Sequence, residues 1–171
     1  MTELRADRLT LRRALPGDLA AMHAVLCDEQ AMLYWSTGPH ADLAETERWL
    51  ESMISAPAGE SDDFVITVND EVIGKLGAWR LPEIGFILRS DQWGQGYAAE
   101  AMRAFLNHIF RSRNVDFLTA DVDPRNEAAL HLLSNHGFVE TGRASATWNT
   151  HIGVCDSVYL QLDRNSWLSA N

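Results

Sequence analysis

Two glycines one residue apart, Gly94 and Gly96, stand in SDQWGQGYAAEAM at the head of a stretch with helical spacing. The first N–H groups of a helix have no intrahelical acceptor and the helix dipole adds partial positive charge there, so glycines at that end let a phosphate come close. A tight turn alone would also explain an isolated G-x-G. A P-loop requires GxxxxGK[ST], and its lysine and hydroxyl are missing. Gly94-x-Gly96-x-x-Ala99 does satisfy the dinucleotide pattern G-x-G-x-x-G/A, and Asp116 stands 22 residues beyond Gly94. That pattern follows its strand directly and lies near the start of its domain. Here Arg89 to Trp93 intervene after Leu88 and roughly half the chain comes first, which argues against a nicotinamide dinucleotide.

Other groups capable of chemistry are dispersed. Cys27 and Cys155 have no CxxC spacing and the six histidines include no HExxH, so neither a disulfide framework nor a metal site is signalled. His108, His131 and His136 do not approach a ligand set. Reduced thiols and a cytoplasmic location are expected. Fourteen basic against 24 acidic side chains leave a formal charge of -10, which disfavours nucleic acid and anionic membrane surfaces and suits a cationic substrate. No apolar run approaches the length of a membrane span and the N-terminus alternates charge with leucine, so neither secretion nor insertion is expected.

The elements that must position these residues are read from periodicity. With 171 residues, 46% of them hydrophobic, the chain suits one domain over 1–171. Leu9 to Arg13 alternate as a strand, and Leu19, Met22, Val25 and Leu26 recur at helical spacing. A polar loop, YWSTGPHAD, leads to a second helix from about Asp42. Asp63 to Val68 and Val72 to Trp79 form a hairpin across Asn69-Asp70-Glu71, and Ile84 to Leu88 adds a third strand. A helix over Tyr97 to Arg111, a strand over Phe117 to Val122, a helix over Asn126 to Asn135 ended by Gly137, and two long terminal strands complete an α/β (α+β) order around one sheet.

WGQGYAAEAM followed by DPRNEAALHLLSNHGF resembles the GNAT superfamily of acyl-CoA-dependent N-acyltransferases, whose pattern R/Q-x-x-G-x-G/A falls on Trp93 to Ala98. LRADRLTLRRALPGDLAAM and ETERWLESM are similar to the branch containing the ribosomal-protein alanine N-acetyltransferases. Trp93 departs from the arginine or glutamine frequent in the broad family. The resemblance implies a mixed sheet of about six to seven strands flanked by about four helices. It implies acetyl-CoA as acyl donor, no metal, an amine acceptor that is a protein N-terminus or a small molecule, and a homodimer through the terminal strands. A non-catalytic acyl-CoA-binding module is the alternative on the same fold.

By the same resemblance the strand Ile84 to Leu88 splays from its neighbour to pair with the pantetheine arm, so that Ile87, Leu88 and the following Arg89 contact the cofactor. Gly94, Gln95, Gly96, Tyr97 and Ala98 then hold the diphosphate on their backbone. Asn126 contacts the cofactor, or only caps its helix. Acyl transfer needs a neutral amine, and an ammonium of pKa ~10 must first lose a proton. Glu83 is nominated as base, against the reading of a solvated strand-edge glutamate, and an N–H of Ile87 or Leu88 as oxyanion donor. Leu133 stands where many relatives have a tyrosine general acid, which leaves the adjacent Ser134 as a candidate, although a helical serine more often bonds its own backbone. Tyr34, Trp35 and Trp79 either frame the acceptor or pack in the core, and Trp148 invites the same caution. Direct attack in a ternary complex is expected, because Cys27 falls in the first helix and Cys155 between two terminal strand segments.

Overall fold

The computed structural model describes residues 2–171. The chain runs β1 (Glu3–Arg5), β2 (Thr10–Arg12), α1 (Leu19–Leu26), α2 (Leu43–Ser55), β3 (Asp62–Val68), β4 (Glu71–Arg80), β5 (Glu83–Leu88), α3 (Tyr97–Ser112), β6 (Phe117–Val122), α4 (Glu127–Asn135), β7 (Val139–Thr150), β8 (Gly153–Asp163) and α5 (Arg164–Ala170). All eight strands join one sheet in the order β1-β2-β3-β4-β5-β6-β8-β7. Neighbours are antiparallel throughout except β5 and β6.

Local chemistry accounts for most boundaries. Asn69 and Asp70 both adopt positive φ, 50° and 66°, the conformation demanded by a tight two-residue hairpin turn, so the connection is one residue shorter than composition implied. Asp42 accepts the Glu45 N–H at 2.9 Å and Glu45 reaches back to the Ala41 N–H at 2.8 Å, which fixes the start of α2. The sheet is covered on both faces. Phe64 and Ile66 pack with α3, α4 and α5, whereas Val65 packs with α1 and α2, which is why β3 reads as a continuous apolar run. Six side chains of α3, Ala101, Met102, Phe105, Leu106, Ile109 and Phe110, are fully buried along one stripe.

The sheet has one or two more strands than expected, and one more helix. β1 is only three residues long, too short for alternation to register. Helix α5 follows β8 without a break, so its residues read as strand. It is held by Trp167, whose Nε1 donates to Asn107 Oδ1 at 3.2 Å and whose ring stacks on His136.

Asp62, 1% exposed, ties the sheet to α3 through Arg13 Nη2 at 2.5 Å, His108 Nε2 at 3.0 Å and Arg113 Nε at 3.6 Å. Burial works against its charge, but the hydrogen bonds from His108 and Arg13 outweigh it and hold the carboxyl below its ordinary range. Asp62→Ala leaves three cationic or ionisable partners facing an apolar gap and is expected to cost about 3 kcal/mol, lowering Tm by about 6–12 °C. Because the folded-state pKa is depressed, this stabilisation is complete above the ordinary value of 3.8 and is lost as the pH falls below it. Thermal melts of variant and parent should therefore converge in acid.

Candidate active site

The sheet opens between β5 and β6. These two strands pair at one position, Glu83 opposite Thr119, supported by Thr119 N–H to Pro82 O at 3.0 Å. Beyond it β5 stays with β4 as far as Leu88, while β6 pairs with β8 over its whole length, so a wedge separates them. In the β4–β5 ladder Arg89 N–H bonds Ile73 O at 2.9 Å, and by antiparallel alternation the Ile87 N–H turns to Lys75 on β4. The Leu88 N–H turns to the open side. Its carbonyl, on that same side, accepts the Trp93 indole N–H at 3.0 Å. Of the two backbone donors nominated from sequence, Leu88 has its N–H free for the wedge and Ile87 does not.

At the end of β5 the chain makes a short turn and enters α3 through Gly94 and Gly96, at φ +75° and +80°. Both lie in the left-handed region that glycine alone adopts without strain. Arg8, from the β1–β2 turn, clamps this entry. Its Nη1 donates to Gln95 O at 2.8 Å, its Nε and backbone N–H bond Glu100, and its guanidinium lies 4.8 Å from the Tyr97 ring centroid. The first-turn amides of this 16-residue helix remain available to an anion. The Arg89 side chain is taken by Glu71 at 3.0 Å and Asp91 at 2.7 Å, which leaves its backbone as the part near the wedge. Asn126 caps α4, its Oδ1 accepting the Ala129 N–H at 3.2 Å, and keeps its amide nitrogen for a further partner. Ser134 is exposed on α4 and is not among the residues lining the cavity described below, and Leu133 is fully buried.

A cavity of about 560 Å³ lies beside the wedge and brings together Glu83, Tyr34, Trp35 and Trp79. Trp49 and Trp148 complete its aromatic walls. Five carboxylates line it. Asp63 pairs with Lys75 at 2.8 Å and Asp123 with Arg125 at 2.6 Å, whereas Glu83, Asp121 and Asp156 have no cationic partner among the described residues. Asp121 Oδ2 accepts the Trp148 indole N–H at 3.0 Å. Burial, and then the charge of Asp121, push the Glu83 carboxyl above its ordinary value against an opposing hydrogen bond from Trp79. A half-buried carboxylate with a raised pKa beside an opening is suited to taking up a proton.

Cys155 requires a correction. It lies within β8 rather than between strands, is buried, and lines the cavity with its Sγ 3.2 Å from Arg125 Nη2. Sequence reading also passed over Asp63, Lys75, Asp121 and Asp156. Two of these left a signal. Lys75 is a lone charge inside the apolar run VIGKLGAW, and Asp121 alternates with the buried Ala120 and Val122 of β6. Among the described residues no group of three or more His, Cys, Asp or Glu side chains is disposed to hold a metal ion.

Residues 8–139 match the family described as an acetyltransferase (GNAT) domain. An uncharacterized N-acetyltransferase of Bacillus licheniformis, p20, is 28% identical over 151 residues, covering 83% of this chain and 85% of its own. The crystal structure of spermidine N-acetyltransferase from Vibrio cholerae in complex with CoA and spermine superposes with a TM-score of 0.80 at 24% identity, over 94% of this chain and 98% of that one. An acetyl transferase from Salmonella typhimurium that modifies the N-terminal serine of 50S ribosomal subunit protein L7/L12 superposes with a TM-score of 0.84 at 17% identity, over 95% and 99% of the two chains.

Proposed function

We propose, for a chain that belongs to the acetyltransferase (GNAT) family and is an acyltransferase, that acetyl-CoA lies along the β5 wedge and acetylates a primary amine held in the aromatic cavity. The observation that carries this reading is the position of Glu83. It forms the last β5–β6 pair before the strands part and it also lines the cavity, so a group there meets donor and acceptor at once.

Acetyl-CoA supplies a thioester whose thiolate, with a thiol pKa of ~8.5, leaves without strong assistance. The chain supplies the rest. The amides that open α3 seat the diphosphate, and the free edge of β5 pairs with the extended arm. The Leu88 N–H faces the reacting carbonyl, where a fixed donor is most effective as negative charge develops. Glu83 takes the proton from the amine. Leu133 offers no proton and Ser134 stands outside the cavity, so no side chain is assigned as general acid. Glu83, Asp121 and Asp156 favour a cationic acceptor. The named relatives act on a polyamine and on a protein N-terminus, both primary amines.

Attack is direct, in a ternary complex, and the buried Cys155 plays no covalent part. The protein acts in the cytoplasm; no described helix is long and apolar enough to cross a membrane. A homodimer forms through β7, which lies at the edge of the sheet with Val139 64% exposed. CoA release from acetyl-CoA across peptides, polyamines and amino-acid amides tests the activity, with intersecting double-reciprocal lines expected. Parallel lines abolished by Cys155→Ala would replace direct attack with an acyl-enzyme. A folded protein that binds CoA by calorimetry but releases none with any amine would be a binding module instead.

A further inference from the structure

The cavity that holds Glu83 also holds a buried ion pair that the reaction does not use. Lys75 and Asp63, with side chains 2% and 6% exposed, pair at 2.8 Å and both line the cavity. Lys75 stands between Val65 on β3 and Ile87 on β5, both of them apolar residues packed under α1 and α2. An apolar side chain would suit that place, and exchanging a buried ion pair for packed apolar groups is commonly neutral or stabilising. Stability therefore does not explain the pair.

The neighbouring row across the sheet gives the reason. Asp63 lies opposite Gly77, and Gly77 opposite Gly85, so two successive positions beside the pair carry no side chain. A Cβ on Gly85 would stand 3.8 Å from Trp35 Cη2 and 4.0 Å from Lys75 Nζ. At Gly77 a Cβ would run into Asp62 O and Asp63, 2.5 to 2.7 Å away, so the glycine there lets Asp63 pack close; the notch on the cavity face is at Gly85, between Trp35 and the ammonium. That ammonium has three N–H donors, and Asp63 is its one carboxylate partner among the described residues.

Resting on the acetyltransferase reading above, we propose that the Asp63–Lys75 pair is the acceptor-reading end of the cavity. It selects amines that carry an uncharged oxygen, a carbonyl or a hydroxyl, close to the reactive nitrogen. Glu83, Asp121 and Asp156 draw the ammonium, and Lys75, beside Gly85, donates to the oxygen. A carboxylate is not the occupant: Asp63 already neutralises Lys75, and the three uncompensated acids repel a second anion. A plain alkyl polyamine offers the remaining Lys75 donors no acceptor, which a site built to bond an oxygen penalises. The acceptor class is thus aminoacyl amides, peptide N-termini and amino alcohols, in preference to alkyl amines and free amino acids.

A series sharing one CH3–CH(NH2)–C unit tests this: alaninamide, alaninol, alanine and sec-butylamine, with 1,4-diaminobutane added, at saturating acetyl-CoA. The better of alaninamide and alaninol is expected to exceed sec-butylamine and 1,4-diaminobutane in kcat/KM by roughly 10- to 100-fold. Which of the two leads separates carbonyl from hydroxyl. Alkyl amines within about 3-fold of the best oxygen-bearing amine, or alanine as the best acceptor, would overturn the proposal. In a folded Asp63→Leu/Lys75→Met double variant the selectivity ratio should fall toward unity, and a ratio equal to the parent's would also overturn it. If that variant does not fold, the parent's series decides alone. Calorimetry of the same amines against CoA-loaded parent protein reads the subsite without turnover. Preferential binding of the oxygen-bearing amines with no acetylation would count against the function proposed above and leave the subsite standing; equal binding, or none, would remove the subsite.

Discussion

Glu83→Gln is expected to lower kcat by about 10²- to 10⁴-fold while leaving acetyl-CoA affinity close to that of the parent. The exchange keeps volume and hydrogen-bonding reach but removes the negative charge and with it the ability to accept a proton, so acceptor KM also rises while the cofactor site is untouched. Its separation from cofactor binding follows from the architecture: Glu83 begins β5, whereas Gly94 and Gly96 stand beyond its other end at the entry to α3. The pH profile carries the same assignment. A base must be ionised to act, so activity falls as the pH drops through the Glu83 pKa. Burial and the neighbouring Asp121 raise that pKa above the ordinary 4.5, and the acid limb of kcat/KM should lie correspondingly high. Asp121→Asn removes one of the two raising influences and should move the limb to lower pH. The acceptor amine, with pKa ~10, gives a separate limb at higher pH. A Glu83→Gln protein as active as its parent across the whole range would remove Glu83 from the mechanism.

The turn proposed to seat the donor is readable in the sequence because it is local. Gly94 to Ala98 form one turn and the first residues of one helix, and both glycines take the positive φ that their type invites. The β3–β4 hairpin and the α2 cap were readable for the same reason, each being decided within a few residues. The acceptor half is assembled at long range. Asp63, Lys75, Glu83, Asp121 and Asp156 come from five different strands and meet only when β5 and β6 part. Single-residue reasoning nominated Glu83 through its place on a recognisable strand. It had no means of pairing Lys75 with Asp63 or of turning Trp148 toward Asp121, and it placed Cys155 outside the strand that carries it into the cavity. The choice between the two proposed oxyanion donors shows the same limit at finer scale. Ile87 and Leu88 are equivalent in sequence, and only the ladder bond from Arg89 to Ile73 O decides which N–H is free.

Gly96→Val should produce the opposite kinetic signature to Glu83→Gln, a loss in acetyl-CoA affinity of about 10- to 100-fold. A β-branched residue at φ +80° costs on the order of 1–3 kcal/mol in backbone strain. The new Cβ would also stand 3.3 Å from Arg8 Nη2, disturbing the guanidinium that holds the Gln95 carbonyl. Relief of either contact moves the amides that open α3. Gly94→Ala separates the two causes. Gly94 is strained by φ alone, +75°, with nothing within 4 Å of an added Cβ, so its effect should be the smaller of the two. Calorimetric titration of CoA into each folded variant measures the loss directly, with kcat at saturating acetyl-CoA much less affected. An unchanged Kd in folded Gly96→Val would mean that the diphosphate sits elsewhere on the wedge. The Leu88 N–H would then have to be reassigned with it, because its role depends on the thioester arriving along β5 from the α3 end.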